Sequence, residues 1–181
     1  GTFTQVSAGQ YHTCGLRADG SAACWGNNYA GASTPPAGTF TQISADGSHT
    51  CELRADGSVV CQGDDRYGQA TAPAGAFTQI SAGYWHTCGL RADGSVACWG
   101  ANFSGEAVPP PGTFSRISAG WAHTCGVQAD GSATCWGINV FGEAIPPAGI
   151  FTQISAGSHH TCGLRTDGSV ACWGNLVLPE P

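Results

Sequence analysis

Apolar and polar positions recur along the chain at a fixed interval. The most regular stretch opens on a histidine at His12, His49, His86, His123 and His160, always 37 residues apart. A period of that length marks a repeat architecture. In the third copy the stretch runs His86-Thr87-Cys88-Gly89-Leu90-Arg91, then Ala92-Asp93-Gly94, then Ser95-Val96-Ala97-Cys98-Trp99-Gly100. Two short runs flanking Ala-Asp-Gly form a hairpin signal, with glycine available for a positive φ. A three-residue loop places Arg91 opposite Ser95; counting outward, Leu90 faces Val96, Gly89 faces Ala97 and Cys88 faces Cys98. That last pair falls on a non-hydrogen-bonded position, where Cα atoms approach within about 4.5 Å, a span a disulfide tolerates.

Ahead of each hairpin lies a further strand, such as Phe3-Thr4-Gln5-Val6-Ser7-Ala8-Gly9 or Phe77-Thr78-Gln79-Ile80-Ser81-Ala82-Gly83. Phe3 and Val6 cannot share a face in a regular strand, which predicts cover on both sides or a bulge. After Trp-Gly come a variable loop, a Gly-Gln-Ala-Thr or Gly-Glu-Ala-Ile piece that could add a short fourth strand, and a proline-rich link such as Pro35-Pro36-Ala37-Gly38. Three to four strands per repeat without any helical period predict an all-β protein, a β-propeller of five blades ahead of a β-solenoid. The repeats divide one domain, 1–181, into 1–37, 38–74, 75–111, 112–148 and 149–181. Setting Pro179-Glu180-Pro181 before Gly1-Thr2-Phe3 recreates the link between repeats, so a closed five-blade ring is expected; ends that meet across molecules would instead give a fibre or larger ring.

All ten cysteines lie in the repeat, in pairs ten residues apart: Cys14 with Cys24, Cys51 with Cys61, Cys88 with Cys98, Cys125 with Cys135 and Cys162 with Cys172. Zinc sites use short C-x2-C clusters, whereas here each pair spans a hairpin, so five disulfides and an oxidising, extracellular location are expected. Without an initial Met, a signal peptide or 18 consecutive apolar residues, the chain reads as mature, soluble and not inserted in a membrane. A net charge of −6 with six cationic residues, all arginine, argues against nucleic acid as a partner.

The pattern Ile-Ser-Ala-Gly-x-x-His-Thr-Cys-Gly-Leu-Arg-Ala-Asp-Gly-Ser-Val-Ala-Cys-Trp-Gly-x-Asn resembles the regulator-of-chromosome-condensation repeat. The short period and the Pro-Pro-Ala-Gly link are closest in style to secreted bacterial propellers of the β-lactamase-inhibitory type. The Cys…Cys-Trp-Gly variation is similar to the crinkly repeats of plant receptor kinases. The resemblance implies a propeller; for function it spans exchange factors, inhibitors and receptor ectodomains.

Positions shared by all five copies, including His12, Thr13, Asp19, Gly20 and Gly26, read as architecture. Five imidazoles in a ring could bind metal or act as bases; symmetric repetition points instead to a structural hydrogen bond in each blade. Tryptophans 25, 99, 136 and 173 read as packing between blades. Variation gathers in two loops, one before the histidine and one after Trp-Gly, which the hairpin register sends to the same face. That face carries Tyr11, Tyr29, Arg66, Tyr67, Tyr84, Trp85, Phe103, Trp121, Phe141 and His159 as candidate ligand contacts, and a glycosylation sequon at Asn102-Phe103-Ser104. In the second repeat Asp46 and Glu52 replace glycines and Gln62 replaces the tryptophan; Asp46, Asp64 and Asp65 at one blade end could hold Ca2+. No other cofactor and no catalysis are expected. The reading is extracellular recognition of a protein or glycan, with self-assembly into a filament or larger ring, and secreted enzyme inhibition, as alternatives.

Overall fold

A computed structural model describes residues 1–176, so the junction of Pro179-Glu180-Pro181 with the amino terminus lies outside the described residues. Fifteen strands form five three-stranded antiparallel sheets, one per repeat. The first blade holds β1 (Phe3–Ala8), β2 (His12–Arg17) and β3 (Ala22–Gly26), and the second β4 (Gln42–Asp46), β5 (His49–Leu53) and β6 (Val59–Gly63). The third holds β7 (Gln79–Ala82), β8 (His86–Leu90) and β9 (Val96–Gly100), and the fourth β10 (Phe114–Ala119), β11 (His123–Gln128) and β12 (Ala133–Gly137). The fifth holds β13 (Phe151–Ala156), β14 (His160–Arg165) and β15 (Val170–Gly174).

The hairpin register is the one its turn dictates. Leu90 pairs with Val96, Gly89 with Ala97 and Cys88 with Cys98. Gly94 takes φ +81°, and the Arg91 N–H donates to Ser95 O at 2.9 Å. Asp93 holds the turn by accepting from both the N–H and the hydroxyl of Ser95. A shift of register between Phe3 and Gln5, and again in the fourth and fifth blades, is the bulge that the uneven pattern of the first strand implies.

All five expected cystines form across their hairpins, with Cα atoms 4.0–4.1 Å apart: Cys14 with Cys24, Cys51 with Cys61, Cys88 with Cys98, Cys125 with Cys135 and Cys162 with Cys172. The two halves of a cystine are covered unequally. Cys14, Cys51, Cys88 and Cys125 are fully buried, whereas Cys24, Cys61, Cys98 and Cys135 are only partly so, and Cys172 of the fifth blade is exposed. The cover comes from the following blade, as where Phe40 and Ile43 pack on Cys14 with Cys24 at the edge of the cluster.

The Gly-x-Ala-x piece is not a strand. It closes a turn instead, with Val108 N donating to Gly105 O and Ile145 N to Gly142 O, and the prolines that follow leave no run of donors for a ladder. The blades therefore have three strands.

Successive blades are joined by side chains as much as by apolar contact. Gln5 donates to Ile43 O and accepts from Ile43 N, and Gln42 does the same with Ile80. Serines two residues further along the same strands add a second link: Ser44 and Ser81 accept from Ala82 N and Ala119 N. Four of the five recurrent histidines reach the next blade's threonine, His12 to Thr50, His49 to Thr87, His86 to Thr124 and His123 to Thr161, at 2.7–2.8 Å. Those threonine hydroxyls already donate to a carbonyl, so the imidazole Nε2–H must be the donor. Nδ1 is then a bare acceptor, and in His49, His86 and His123 it is buried without a partner. The recurrent histidine is a structural strut.

Apolar clusters fill the spaces between blades: Cys88 and Leu90 of one blade pack with Phe114, Ile117 and Trp136 of the next. Each such side chain removed from water contributes roughly 1.5–3 kcal/mol. Gly15 and Gly126 lie flat under Phe3 and Phe114, where an added Cβ would come within 2.5–2.6 Å of the ring.

The second blade breaks this pattern. Glu52 stands where the others have that glycine, and Gln62, in place of the tryptophan, donates to its Oε1 at 2.9 Å. Glu52 Oε2 and Gln62 Oε1 stay buried and unpaired. One proton on Glu52 would give both a partner, and burial pushes its pKa up to about 7. Because the folded value lies above the ordinary 4.5, stability falls as pH rises from about 4.5 through about 7. Glu52→Gln is expected to raise the thermal midpoint at pH 8, by an equivalent of up to about 3 kcal/mol, with the gain vanishing near pH 4.5. Equal midpoints for the two proteins at pH 8 in a calorimetric scan would refute the buried acid.

Candidate functional site

The two variable loops meet at one end of the blades. Trp85, in the loop between β7 and β8, has Tyr84, Tyr67, Phe103 and Trp121 around it, with ring centroids 4.8, 6.1, 6.3 and 5.6 Å away. Tyr67 touches Phe103 at 5.2 Å, and His159 bridges Trp121 and Phe141 at 5.1 and 5.4 Å. Seven of the ten expected contact residues thus form one connected group across blades two to five. Most of these pairs are edge-to-face, the arrangement that ring quadrupoles favour. Phe103 and Phe141 remain 68% and 50% exposed, while Tyr84, Trp85 and Trp121 are half-buried.

Tyr11 and Tyr29 are exposed and stand apart from this group. The physical reason lies in the second blade, whose corresponding turn is Gly47-Ser48 and carries no ring to continue the chain of contacts. Arg66 is also separate: its guanidinium grips both oxygens of Asp64, 2.7 Å at the closest. That bond, its first cause, holds the Asp64 carboxyl below its ordinary range.

Asp46, Asp64 and Asp65 do not converge. Asp65 accepts from Ala70 N and the Thr71 hydroxyl, the capping place that Asn102 and Asn139 fill with Ala107 N and Ala144 N. Asp46 turns toward the blade axis. Among the described residues no group of three His, Cys, Asp or Glu side chains is arranged to hold a metal ion.

The residues that set the aromatic loops in place were hidden in the Gly-x-Ala-x piece. Gln69, Glu106 and Glu143 are buried and bend back to accept loop amides: Tyr67 N at 2.9 Å, Phe103 N and Ser104 N at 3.0 and 2.6 Å, and Phe141 N at 2.6 Å. Their own carbonyls each accept from the next blade's threonine and tryptophan, as Gln69 O does from Thr87 and Trp99. One residue per blade therefore ties an aromatic loop to the joint between blades. In the first blade the position is Ala32, and the loop there is held by Asn27 and Asn28 around a short 3-10 turn, Tyr29–Gly31. The recurrence of Gly-Gln/Glu-Ala just after a loop aromatic was the available signal.

At the centre of this face the first turns of all five blades line an open pocket of about 330 Å³, bounded by Gln10, Asp46, Tyr84, Trp121, Ser158 and His159. The Tyr84 hydroxyl donates to Gln10 Oε1 at 2.8 Å, linking the third blade to the first. Among the described residues no other hydrogen bond joins these two blades, and none joins the fifth blade to the first.

The model of the Regulator of chromosome condensation (RCC1) repeat matches residues 3–32, 77–106, 114–143 and 151–175. The chain belongs to the RCC1 repeat family. The repeat left unmatched is the second, which carries Asp46, Glu52 and Gln62. Among solved structures, the chain is similar to the CRINKLY ectodomain of the Arabidopsis thaliana receptor kinase ACR4, with 34% identity, TM-score 0.80, and 96% of this chain covering 64% of that one. The ectodomain of the Physcomitrella patens receptor kinase CR4 gives 32% identity, TM-score 0.84, and 98% covering 53%. Prp20p of Saccharomyces cerevisiae, described with its binding to Gsp1p and histones, shares the fold at 19% identity, TM-score 0.82, and 96% covering 57%. This RCC1-repeat chain thus spans somewhat more than half the length of the structures it matches. No curated protein sequence matches it.

Proposed function

We propose that this chain is a non-enzymatic extracellular recognition propeller that engages a protein partner through its aromatic face. The observation that carries the reading is the connected group of rings from Tyr67 to Phe141, assembled from four blades on one side of the molecule. Clustered aromatics anchored in a rigid frame are the composition of protein hot spots. At the centre of the group Trp85 has four other rings around it, so the anchor there is a packed cluster rather than the open ring face on which a sugar stacks; the open rings, Phe103 and Phe141, lie at its margin. Five cystines and the similarity to two receptor ectodomains support the extracellular setting. An enzyme inhibitor would be one such protein binder, tested directly against secreted hydrolases.

Trp85→Ala is expected to weaken partner binding by about 30-fold, since truncating a central aromatic anchor costs on the order of 2 kcal/mol. Capture from extracellular fluid with the native chain and this variant, alongside a glycan array, tests the reading. Unchanged capture by the variant, or binding confined to glycans, would overturn it.

A second reading, assembly of copies head to tail, is favoured by the end blades. The fifth blade leaves Gln153, Ser155 and His160 exposed, the groups that other blades direct at their successor, while Phe3, Val6 and Trp25 lie open on the first. Native mass spectrometry decides it: a purely monomeric mass excludes this reading.

A further inference from the structure

We propose that the pocket at the blade axis receives a cationic side chain of a protein ligand, arginine or lysine, with Asp46 as its counter-charge and Tyr84, Trp121 and His159 as aromatic walls. The inference rests on the aromatic face being a ligand surface, and it names the chemistry that the centre of that face would select.

Asp46 occupies a position that is glycine in the other four blades: Gly9, Gly83, Gly120 and Gly157. There a side chain has no room in the ordinary turn; a Cβ on Gly83 would come within 2.5 Å of Gly120 O and 2.6 Å of the His86 ring. The second blade makes room by moving its glycine one place on. Gly47 takes φ +45° and lies directly beneath the Tyr84 carbonyl, where any Cβ would collide. The carboxylate is thereby delivered to the pocket wall. A change that needs a compensating glycine is more than padding.

What the carboxylate finds there is one hydrogen bond, from Gly47 N to Oδ1 at 2.6 Å, and no cation: among the described residues the one ion pair is Arg66 with Asp64. The titratable groups lining the pocket are Asp46, Tyr84 and His159, and the turns contributed by blades one, three, four and five bring no charged carboxylate, ammonium or guanidinium to it. Burial, the dominant cause, pushes the Asp46 pKa up to about 6. A half-buried carboxylate without a counter-ion is satisfied by an arriving cation. The walls suit the same guest. Tyr84 and Trp121 have ring centroids 6.4 Å apart, and His159 packs against Trp121. Aromatic faces attract guanidinium and ammonium groups through the ring quadrupole. About 330 Å³ accommodates the end of one long side chain, and a net charge of −6 steers a basic partner toward the surface.

The test titrates the whole chain with N-acetyl-arginine amide, N-acetyl-lysine amide and the neutral isostere N-acetyl-citrulline amide, following NMR shifts of the Trp121 indole. Expected are saturable shifts with the cations, a preference between them that identifies guanidinium or ammonium as the guest, and none with citrulline at equal concentration. Affinity should be about tenfold weaker at pH 5 than at pH 7, because binding requires ionised Asp46. Asp46→Asn should abolish both the binding and its pH dependence without lowering the thermal midpoint, whereas His159→Gln should keep the pH dependence. Citrulline binding as well as arginine, full binding by Asp46→Asn, or no cation binding in tens of millimolar ligand would each overturn the proposal. If the cations fail while Trp85→Ala still loses the protein partner, the ligand class is wrong and the recognition face stands; if both fail, the face falls too.

Discussion

Reduction of the five cystines is expected to unfold the chain at neutral pH without denaturant. Each closes a loop with a sequence separation of 10, and cross-linking a loop of that size stabilises by roughly 2–3 kcal/mol in the chain-entropy model. Five together supply on the order of 10–15 kcal/mol, comparable with the whole stability of an ordinary domain. The blades have little else to fall back on, since each sheet has three strands and contributes only a thin apolar layer, such as Cys14, Leu16, Phe40 and Ile43 between the first two. Circular dichroism and hydrodynamic radius in excess reductant should therefore report an expanded chain, and thiol alkylation should show all ten cysteines reactive. Exposed Cys172 with its partner Cys162 should be reduced first, ahead of the pairs in which Cys24, Cys61, Cys98 and Cys135 are partly covered. A reduced chain that keeps the oxidised radius and spectrum would show that packing between blades suffices alone.

The hairpin was legible because two independent features of the sequence agree. Ala-Asp-Gly-Ser sets the register, and the register lands each cysteine opposite its partner. The histidines were legible by symmetry, although their threonine partners lie 38 residues away and only the fold brings the two together. The convergence of the two loops also followed from register, and Tyr67, Trp85 and Phe103 do meet. What could not be read was the role of Gln69, Glu106 and Glu143. The piece reads as a short fourth strand, and only the folded chain shows the side chains turned back to hold a loop amide while their carbonyls serve the next blade. Asp46 was misplaced for a related reason. Hairpin register sets it at one blade end with Asp64 and Asp65, but the turn of the second blade directs it to the pocket, where its neighbours come from the other four repeats.

Acid should destabilise the fold through the struts between blades. Burial, the first cause in each case, lowers the pKa of His49 to about 4, His86 to about 3 and His123 to about 4, against an ordinary 6.5. The unfolded chain takes up these protons first, so the stability contributed by the neutral imidazoles is complete above pH 6.5. It is lost as pH falls below that, by about 1.4 kcal/mol per pH unit for each histidine. The chemistry agrees with the geometry: Nε2–H is committed to threonine, and a proton on Nδ1 would place a charge where no acceptor waits. Glu52 and Asp46 work in the opposite sense. Their folded values, about 7 and about 6, lie above their ordinary ones, so the folded state gains from their protonation over part of the same range. In the native chain the two trends partly cancel between pH 6 and 4.5, two carboxyls against three imidazoles, leaving a decline of about 1.4 kcal/mol per pH unit. The double variant Asp46→Asn, Glu52→Gln removes the compensation and is expected to start more stable at pH 8, then lose about 4 kcal/mol per pH unit below 6.5. Guanidinium unfolding midpoints at half-unit steps of pH would show it. A double variant whose stability holds level from pH 6.5 to 4.5 would mean that the histidines accept protons in the folded state, and that the bare Nδ1 atoms have partners in solution.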